Sequence, residues 1–171
     1  YTGGTTGVSK GAVLLHSNLV ANVLQCEGFY QPALKKVPPG ESVHTVAALP
    51  LYHIFGFTAN LMLSMHMGGV NVLLPNPRDI PGFVKEWGKY PVTVVTGVNT
   101  LFNALLNNDD FAKLDFSTMR VTLGGGMAVQ GPVAERWKRV TGTPLLQAYG
   151  LTETSPAATI NPLDMGDFNG S

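Results

Sequence analysis

From residue 43 onward the chain alternates short apolar, β-branched runs with stretches of helical periodicity, and no other feature limits its possible folds so tightly. Residues 44–49, 70–74, 92–96, 120–123 and 145–148 read as strands, because each run is bounded by Pro, Gly or polar residues. Between them lie four helical stretches. A very apolar one over 55–67 is closed by Gly68-Gly69. A second is opened by Asp79 and Pro81, presents Phe83, Val84 and Trp87 on one face, and is stopped by Pro91. A third carries Leu101, Leu105 and Leu106, and a fourth has Val133, Trp137 and Val140 and ends at Gly142. Strands separated by helices require crossover connections, which are right-handed and make neighbouring strands parallel. The expected fold class is α/β, a layered, mostly parallel sheet flanked by helices. Only 13% of residues are charged against 44% apolar, as strands covered on both faces require.

Upstream of this pattern the reading is coarser. Residues 12–16 read as a short strand, and Ser17 as the N-cap of a helix with Leu19, Val20, Val23 and Leu24 on one face. Residues 32–42, with Lys35, Lys36, Pro38, Pro39 and Gly40, read as a solvated connector, and 107–118 as a polar connection. The apolar stretch 54–74 is interrupted by Asn60, His66, Gly68, Gly69 and Asn71, so a buried helix explains it better than a membrane span.

Composition removes several function classes. Net charge is zero and the pI is about 7.1, so the chain carries no electrostatic footprint for nucleic acid. The single Cys26 excludes an intrachain disulfide and a cysteine metal site. With no signal peptide, a cytoplasmic location is expected, and the Asn169-Gly170-Ser171 sequon carries no meaning. The chain opens inside a motif and stops without an obvious last element, so it reads as a piece of a larger protein.

The chemistry begins in the opening run Tyr1-Thr2-Gly3-Gly4-Thr5-Thr6-Gly7-Val8-Ser9-Lys10-Gly11. Glycines let successive backbone N–H groups turn toward one point, threonine hydroxyls add donors, and Lys10 brings an ammonium. Such a loop suits a polyphosphate. It is not a Walker A loop, because Lys10 lies between Ser9 and Gly11 rather than between Gly and Ser or Thr. Gly7-Val8-Ser9-Lys10-Gly11 also matches the G-x-S-x-G nucleophile elbow, which needs a strand before the serine and a helix directly after it; the local order expected here is the reverse. Other unusual residues follow predicted strands: Leu49-Pro50-Leu51-Tyr52-His53, Val98-Asn99, Gly124-Gly125-Gly126 and Tyr149-Gly150-Leu151-Thr152-Glu153. Ligands of parallel α/β sheets bind beyond the strands' carboxyl ends, so these segments are expected to share one pocket.

The opening loop resembles the phosphate-binding signature Y-T-S-G-T-T-G-x-P-K-G of the acyl-adenylate-forming enzymes, departing from it at Gly3 and Ser9. Residues 149–153 resemble that family's Y-G-x-T-E motif, and 49–53 its L-P-x-x-H segment. The runs 76–81 and 96–102 look most like bacterial long-chain fatty acid CoA ligases. Three motifs in the family's order, spread over the whole chain, make the set far more specific than any one of them. The resemblance implies that residues 1–171 form part of an N-terminal AMP-binding domain, with the rest of that domain and a C-terminal domain absent.

It also implies a two-step reaction. A fatty carboxylate attacks the α-phosphate of Mg-ATP to give acyl-adenylate and pyrophosphate, and coenzyme A then displaces AMP. By the same resemblance Thr2, Gly3, Gly4, Thr5, Thr6, Gly7 and Lys10 wrap the β- and γ-phosphates, Glu153 holds Mg²⁺, and Thr152 contacts the α-phosphate. Tyr149 and Gly150 lie at the adenine, Gly124, Gly125 and Gly126 allow close approach of adenine and acyl carboxylate, and His53 sits near that carboxylate. Lys10, Thr152, Glu153 and His53 are thus the expected catalytic residues. Val98, Met127 and the 55–67 helix, with Met62, Met65 and Met67, are candidates for an acyl tunnel. His16, His44 and His66 have no assigned role.

Fatty acid, ATP and coenzyme A are the expected partners, with no nucleic acid and no transmembrane segment. A homodimer and peripheral contact with the inner face of the cell membrane are compatible with this reading. The family's C-terminal lysine and its ribose-binding aspartate cannot be assigned in these residues, so the piece alone is expected to be inactive. Alternatives are a medium-chain or aryl acid CoA ligase, another adenylation domain, and, in a different class, a serine hydrolase using Ser9.

Overall fold

The computed structural model describes residues 1, 2 and 8–164. Among them a six-stranded sheet runs in the order β2-β1-β3-β4-β5-β6. Its strands are β1 (His44–Ala47), β2 (Val70–Leu73), β3 (Val94–Gly97), β4 (Val121–Gly124), β5 (Leu145–Gly150) and β6 (Ala157–Ile160). The first five pair in parallel, with Val46 opposite Val72 and Val95, Val95 opposite Thr122, and Leu123 opposite Leu146. β6 returns antiparallel along β5, with an irregularity at Tyr149/Gly150.

The helices are α1 (His16–Leu34), α2 (Leu63–His66), α3 (Ile80–Trp87), α4 (Asn99–Leu106) and α5 (Gly131–Thr141), and a π-helical segment Gly56–Met62 leads directly into α2. The step from β1 to β2 runs opposite to the steps from β3 to β4 to β5. Right-handed crossovers therefore put Gly56–His66 on one face of the sheet and α3, α4 and α5 on the other.

Two cores result. On one face Phe83, Trp87, Phe102, Leu105, Phe111 and Trp137 pack against Val46, Val95 and Leu145. On the other, Val23, Cys26, Tyr30, Phe55, Ala59 and Leu63 pack against Val94, Val121, Leu123 and Leu146. Trp137 is fully buried, sits edge-on to Phe102 with ring centroids 4.9 Å apart, lies 5.3 Å from Phe111, and donates its indole N–H to Thr122 Oγ1.

Local chemistry explains two of the helix ends. Asp79 caps α3 by accepting from the Gly82 N–H at 3.1 Å, with Pro81 in the first turn. Gly142, at φ +75°, closes α5 in the left-handed conformation.

Several expectations are corrected. Residues 12–16 form no strand: 11–15 make no ladder, Val13 is 89% exposed, and His16 already belongs to α1. Ser17 is therefore not the N-cap. That position is Leu15, whose N–H donates to Asn18 Oδ1 at 2.9 Å. The connector begins at 35 rather than 32, because α1 runs through Pro32. Proline there gives up one backbone bond, and burial of Tyr30 and Ala33 on either side holds the last turn in place. α3 ends at Trp87, before Pro91. Strand β6 was not anticipated at all.

Trp137→Ala is expected to destabilise the protein by about 3–5 kcal/mol, which urea unfolding monitored by far-UV circular dichroism would measure. Trp137→Phe, keeping the ring but losing the bond to Thr122, should lose much less.

Candidate functional site

An open cleft of about 1070 Å³ lies at the carboxyl ends of the parallel strands. Its rim is built from exposed or half-exposed residues that follow strands: Tyr52 and His53 after β1, Gly126 after β4, and Tyr149, Thr152 and Glu153 at the end of β5 and just beyond. Its floor is buried and uncharged, formed by Cys26 and Tyr30 from α1, Thr58, Ala59 and Leu63 from the helical stretch after β1, and Leu123 from β4. Among the described residues Glu153 is the one acidic side chain in the lining, and no lysine or arginine lines it.

The wall after β1 depends on close backbone packing. A Cβ on Gly56 would lie 2.4 Å from the Pro50 carbonyl oxygen, so only glycine lets the π-helical segment start over the turn at Leu49–Pro50. His53 is fixed by that turn. Its N–H donates to the Pro50 carbonyl at 3.0 Å and its carbonyl accepts from Phe57 N–H at 2.9 Å. Its Nδ1 accepts from Phe55 N–H at 3.2 Å, which assigns the ring proton to Nε2 and leaves that atom as a donor. Asn60 is tied to β3 through the Thr96 hydroxyl. The buried Thr58 hydroxyl has no hydrogen-bond partner among the described residues.

The glycine turn after β4 is held by two carboxamides. Gln147 Oε1 accepts from Val129 N–H at 2.8 Å, and Asn99 Oδ1 accepts from Gln130 N–H at 2.9 Å. Asn99 is thus a support of the turn and does not line the cleft. Gly124 is buried with its Cβ position 2.4 Å from Val129 Cγ2, so its small size serves packing. Gly125 lies against Phe55, and Gly126 adopts φ +75°; both line the cleft.

After β5 the chain makes a tight loop. Leu151 N–H donates to the Pro156 carbonyl at 3.1 Å and to Thr154 Oγ1 at 2.9 Å, and Thr152–Thr154 form a single 3₁₀ turn. Ser155 closes it at φ 69°. This loop presents Thr152 and the exposed Glu153 carboxylate to the cleft. Asn22 of α1 bonds both backbone atoms of Ala157, where β6 begins.

Of the opening run, Thr2 lines the cleft and pairs with Lys10 through two backbone bonds of 2.7 and 3.1 Å. Lys10 itself is exposed and does not line it. Gly3, Gly4, Thr5, Thr6 and Gly7 lie outside the described residues. Ser9 donates to the Thr2 carbonyl at 3.3 Å, and the next helix begins at His16 rather than directly after the serine, so no elbow forms.

The structure therefore brings Thr2, His53, Gly125, Gly126, Tyr149, Gly150, Thr152 and Glu153 to one cleft. Of the tunnel candidates, Val98 packs in the α3–α5 core, Met62 and Met67 in the opposite core, and Met65 and Met127 are largely exposed. The floor residues Asn22, Cys26 and Tyr30 were missed by sequence reasoning. Their signal was a buried helix face repeating at positions 22, 26 and 30 with no large aliphatic residue on it. Burial pushes the Cys26 thiol up to about 11 and raises the Tyr30 phenol further, so both floor groups stay neutral.

No cluster of three His, Cys, Asp or Glu side chains exists among the described residues, so these residues offer no all-protein metal cage. A single exposed carboxylate beside a phosphate-sized space does fit Mg²⁺, which commonly takes one or two carboxylates and fills its remaining positions with phosphate oxygens and water.

Known proteins bear on this site. A family model described as AMP-binding enzyme matches residues 1–170. The long-chain-fatty-acid–CoA ligase of Yersinia pestis is 56% identical over all 171 residues, and the chain spans about 30% of the length of that curated relative. The ATP-bound structure of MatB from Rhodopseudomonas palustris superposes with a TM-score of 0.77 at 30% identity, covering 98% of this chain and 31% of that one. The anthranilate CoA ligase AuaEII, in complex with anthranoyl-AMP, gives 0.81 at 25% identity, covering 99% and 31%.

A Cβ on Gly150 would lie 2.1 Å from the Pro156 carbonyl oxygen. Gly150→Ala is expected to cost about 1–3 kcal/mol and to displace the Thr152–Glu153 loop. A lowered thermal midpoint together with altered amide shifts at 151–156 would register both effects.

Proposed function

The chain belongs to the AMP-binding enzyme family, and on that premise we propose that its cleft activates a long-chain fatty acid as the acyl-adenylate and passes it to coenzyme A. The observation that carries the reading is the division of one cleft into a polar rim and a buried, uncharged floor. A carboxylate and a triphosphate suit the rim, and an alkyl chain suits the floor. The name of the 56% identical relatives supports the long-chain acid over medium-chain or aryl acids.

In the first step a carboxylate oxygen forms a bond to the α-phosphorus and the bond to the bridging oxygen breaks, releasing pyrophosphate. In the second, the coenzyme A sulfur bonds the acyl carbon and AMP leaves. When bound, Mg²⁺ would neutralise phosphate charge. Glu153 would hold it, Thr152 would donate to the α-phosphate, and His53 Nε2–H would orient the attacking carboxylate. Tyr149, Gly150, Gly125 and Gly126 would bound the adenine, with Gly124 supporting the turn. Thr2, Gly3, Gly4, Thr5, Thr6, Gly7 and Lys10 would bind the β- and γ-phosphates. Such catalysis is positioning plus charge neutralisation, with the cation brought by Lys10 and Mg²⁺ because the described lining holds none.

No helix among the described residues is long and apolar enough to cross a membrane. The reading places the protein in the cytoplasm with access to the membrane's inner face, where a fatty acid partitions. The edge strand β2, with Leu73 half exposed, is where a homodimer would pair.

The test is ATP–pyrophosphate exchange by the full-length protein with straight-chain acids of increasing length. Exchange is expected to require an acid and to favour long chains. It should fall roughly 100-fold or more in Glu153→Ala and Lys10→Ala, the scale of losing a main charge-stabilising group. Acid-independent exchange, or equal rates with benzoate and palmitate, would contradict the proposal.

A further inference from the structure

We propose that Asn22 is a positioning residue that sets where Thr152 and Glu153 stand, by clamping the far end of their loop to α1. The inference rests on the adenylation reading for what those two residues do, and on the geometry for the clamp itself.

Asn22 is 4% exposed and lies on the buried face of α1, among Val23, Cys26 and Tyr30. A carboxamide in such surroundings needs partners. It finds a matched pair: Nδ2 donates to the Ala157 carbonyl at 2.8 Å, and Oδ1 accepts from the Ala157 N–H at 3.2 Å. The two bonds grip one peptide residue across 135 positions of sequence. Ala157 opens β6 and is the register partner of Gly150, so it is the base on which the intervening loop stands.

The loop's own bonds are local: Leu151 to Pro156, and Thr154 to Leu151 and Pro156. They fix its shape, while its place comes from what holds its two ends, β5 paired into the sheet on one side and Ala157 on the other. Asn22 supplies a link to α1, the helix that residues 11–15 connect to the Thr2–Lys10 pair. The clamp therefore ties together the two sides of the space where phosphate would lie. Displacing a charge-stabilising group by about an ångström is enough to cost roughly 100-fold in rate.

Asn22→Asp is the discriminating variant because it keeps the shape and exchanges the donor for an acceptor. As a carboxylate it repels the Ala157 carbonyl. Once protonated it regains one donor and one acceptor, the same pair as the carboxamide. In the full-length protein, Asn22→Asp at pH 8 is expected to slow palmitate-dependent ATP–pyrophosphate exchange roughly 10- to 100-fold and to raise the half-saturating Mg²⁺ concentration. The deficit relative to wild type should narrow as pH falls. Thioester formation from supplied palmitoyl-adenylate, which needs no pyrophosphate departure, should be far less affected. Asn22→Ser, which removes the clamp without charge, should show the same deficit with no pH recovery.

Wild-type exchange in both variants, a deficit in Asn22→Asp that is flat with pH, or equal losses in both half-reactions would overturn the inference. Should wild type show no acid-dependent exchange, the adenylation reading fails separately. Calorimetric titration with Mg-ATP then still reads the clamp, with weaker binding in Asn22→Asp at pH 8 and recovery at lower pH expected, and unchanged binding overturning it.

Discussion

Burial of β3 and β4 on both faces is the constraint on which the rest depends. Val94 and Val121 face the core under α1 and the π-helical segment, while Val95 faces the one under α3, α4 and α5. A strand covered on both sides cannot slip by one residue without exchanging these two sets, so the register is set from both faces at once. With the register fixed, the carboxyl ends of β1, β3 and β4 stop at adjacent heights, and the segments that follow them meet above the sheet. The cleft is the consequence of where these ends fall rather than a separate construction.

Above that edge, the chemistry is held by backbone packing and carboxamides more than by charge. Gly56 and Gly150 admit carbonyl oxygens that any side chain would strike, Asn99 and Gln147 each hold the backbone of a turn that no ladder reaches, and Asn22 holds the residue at which β6 begins. Neutral hydrogen-bonding groups fix loops without adding a field of their own. Glu153 is thereby left as the one acidic side chain in the described lining. A nucleotide with its metal would meet little competing charge there.

Much of this was legible in the sequence, for a physical reason. Parallel strands such as 94–97 and 121–124 are continuous apolar runs, and residues 131–141 carry a clear helical stripe closed by Gly142. Local pattern and final fold therefore agree. The site segments were legible because glycine, proline and polar residues follow directly on such runs, as at 50–53 and 149–153. What failed were features decided by distant partners. The run 12–16 has strand composition and pairs with no strand among the described residues. α1 passes through Pro32 because Tyr30 and Ala33 are buried. β6 is a short, partly exposed run whose only ladder among the described residues is with β5. The cleft floor escaped notice because the apolar residues near the motifs were the visible candidates, whereas Cys26 and Tyr30 reach it from a helix far away in sequence.

The π-helical winding at Gly56–Met62 has a consequence for how such a cleft changes its contents. Each turn of i→i+5 bonding holds about one residue more than an α-turn, so a single residue can be gained or lost within the segment while the helix that follows keeps its face toward the sheet. Loss of one residue would rewind the stretch as ordinary helix and leave Leu63 on the floor, while the side chains presented between Gly56 and Met62 shift, Thr58 and Ala59 among them. A wall wound in this way is re-lined locally by deletion or insertion in one event, where substitution would need several.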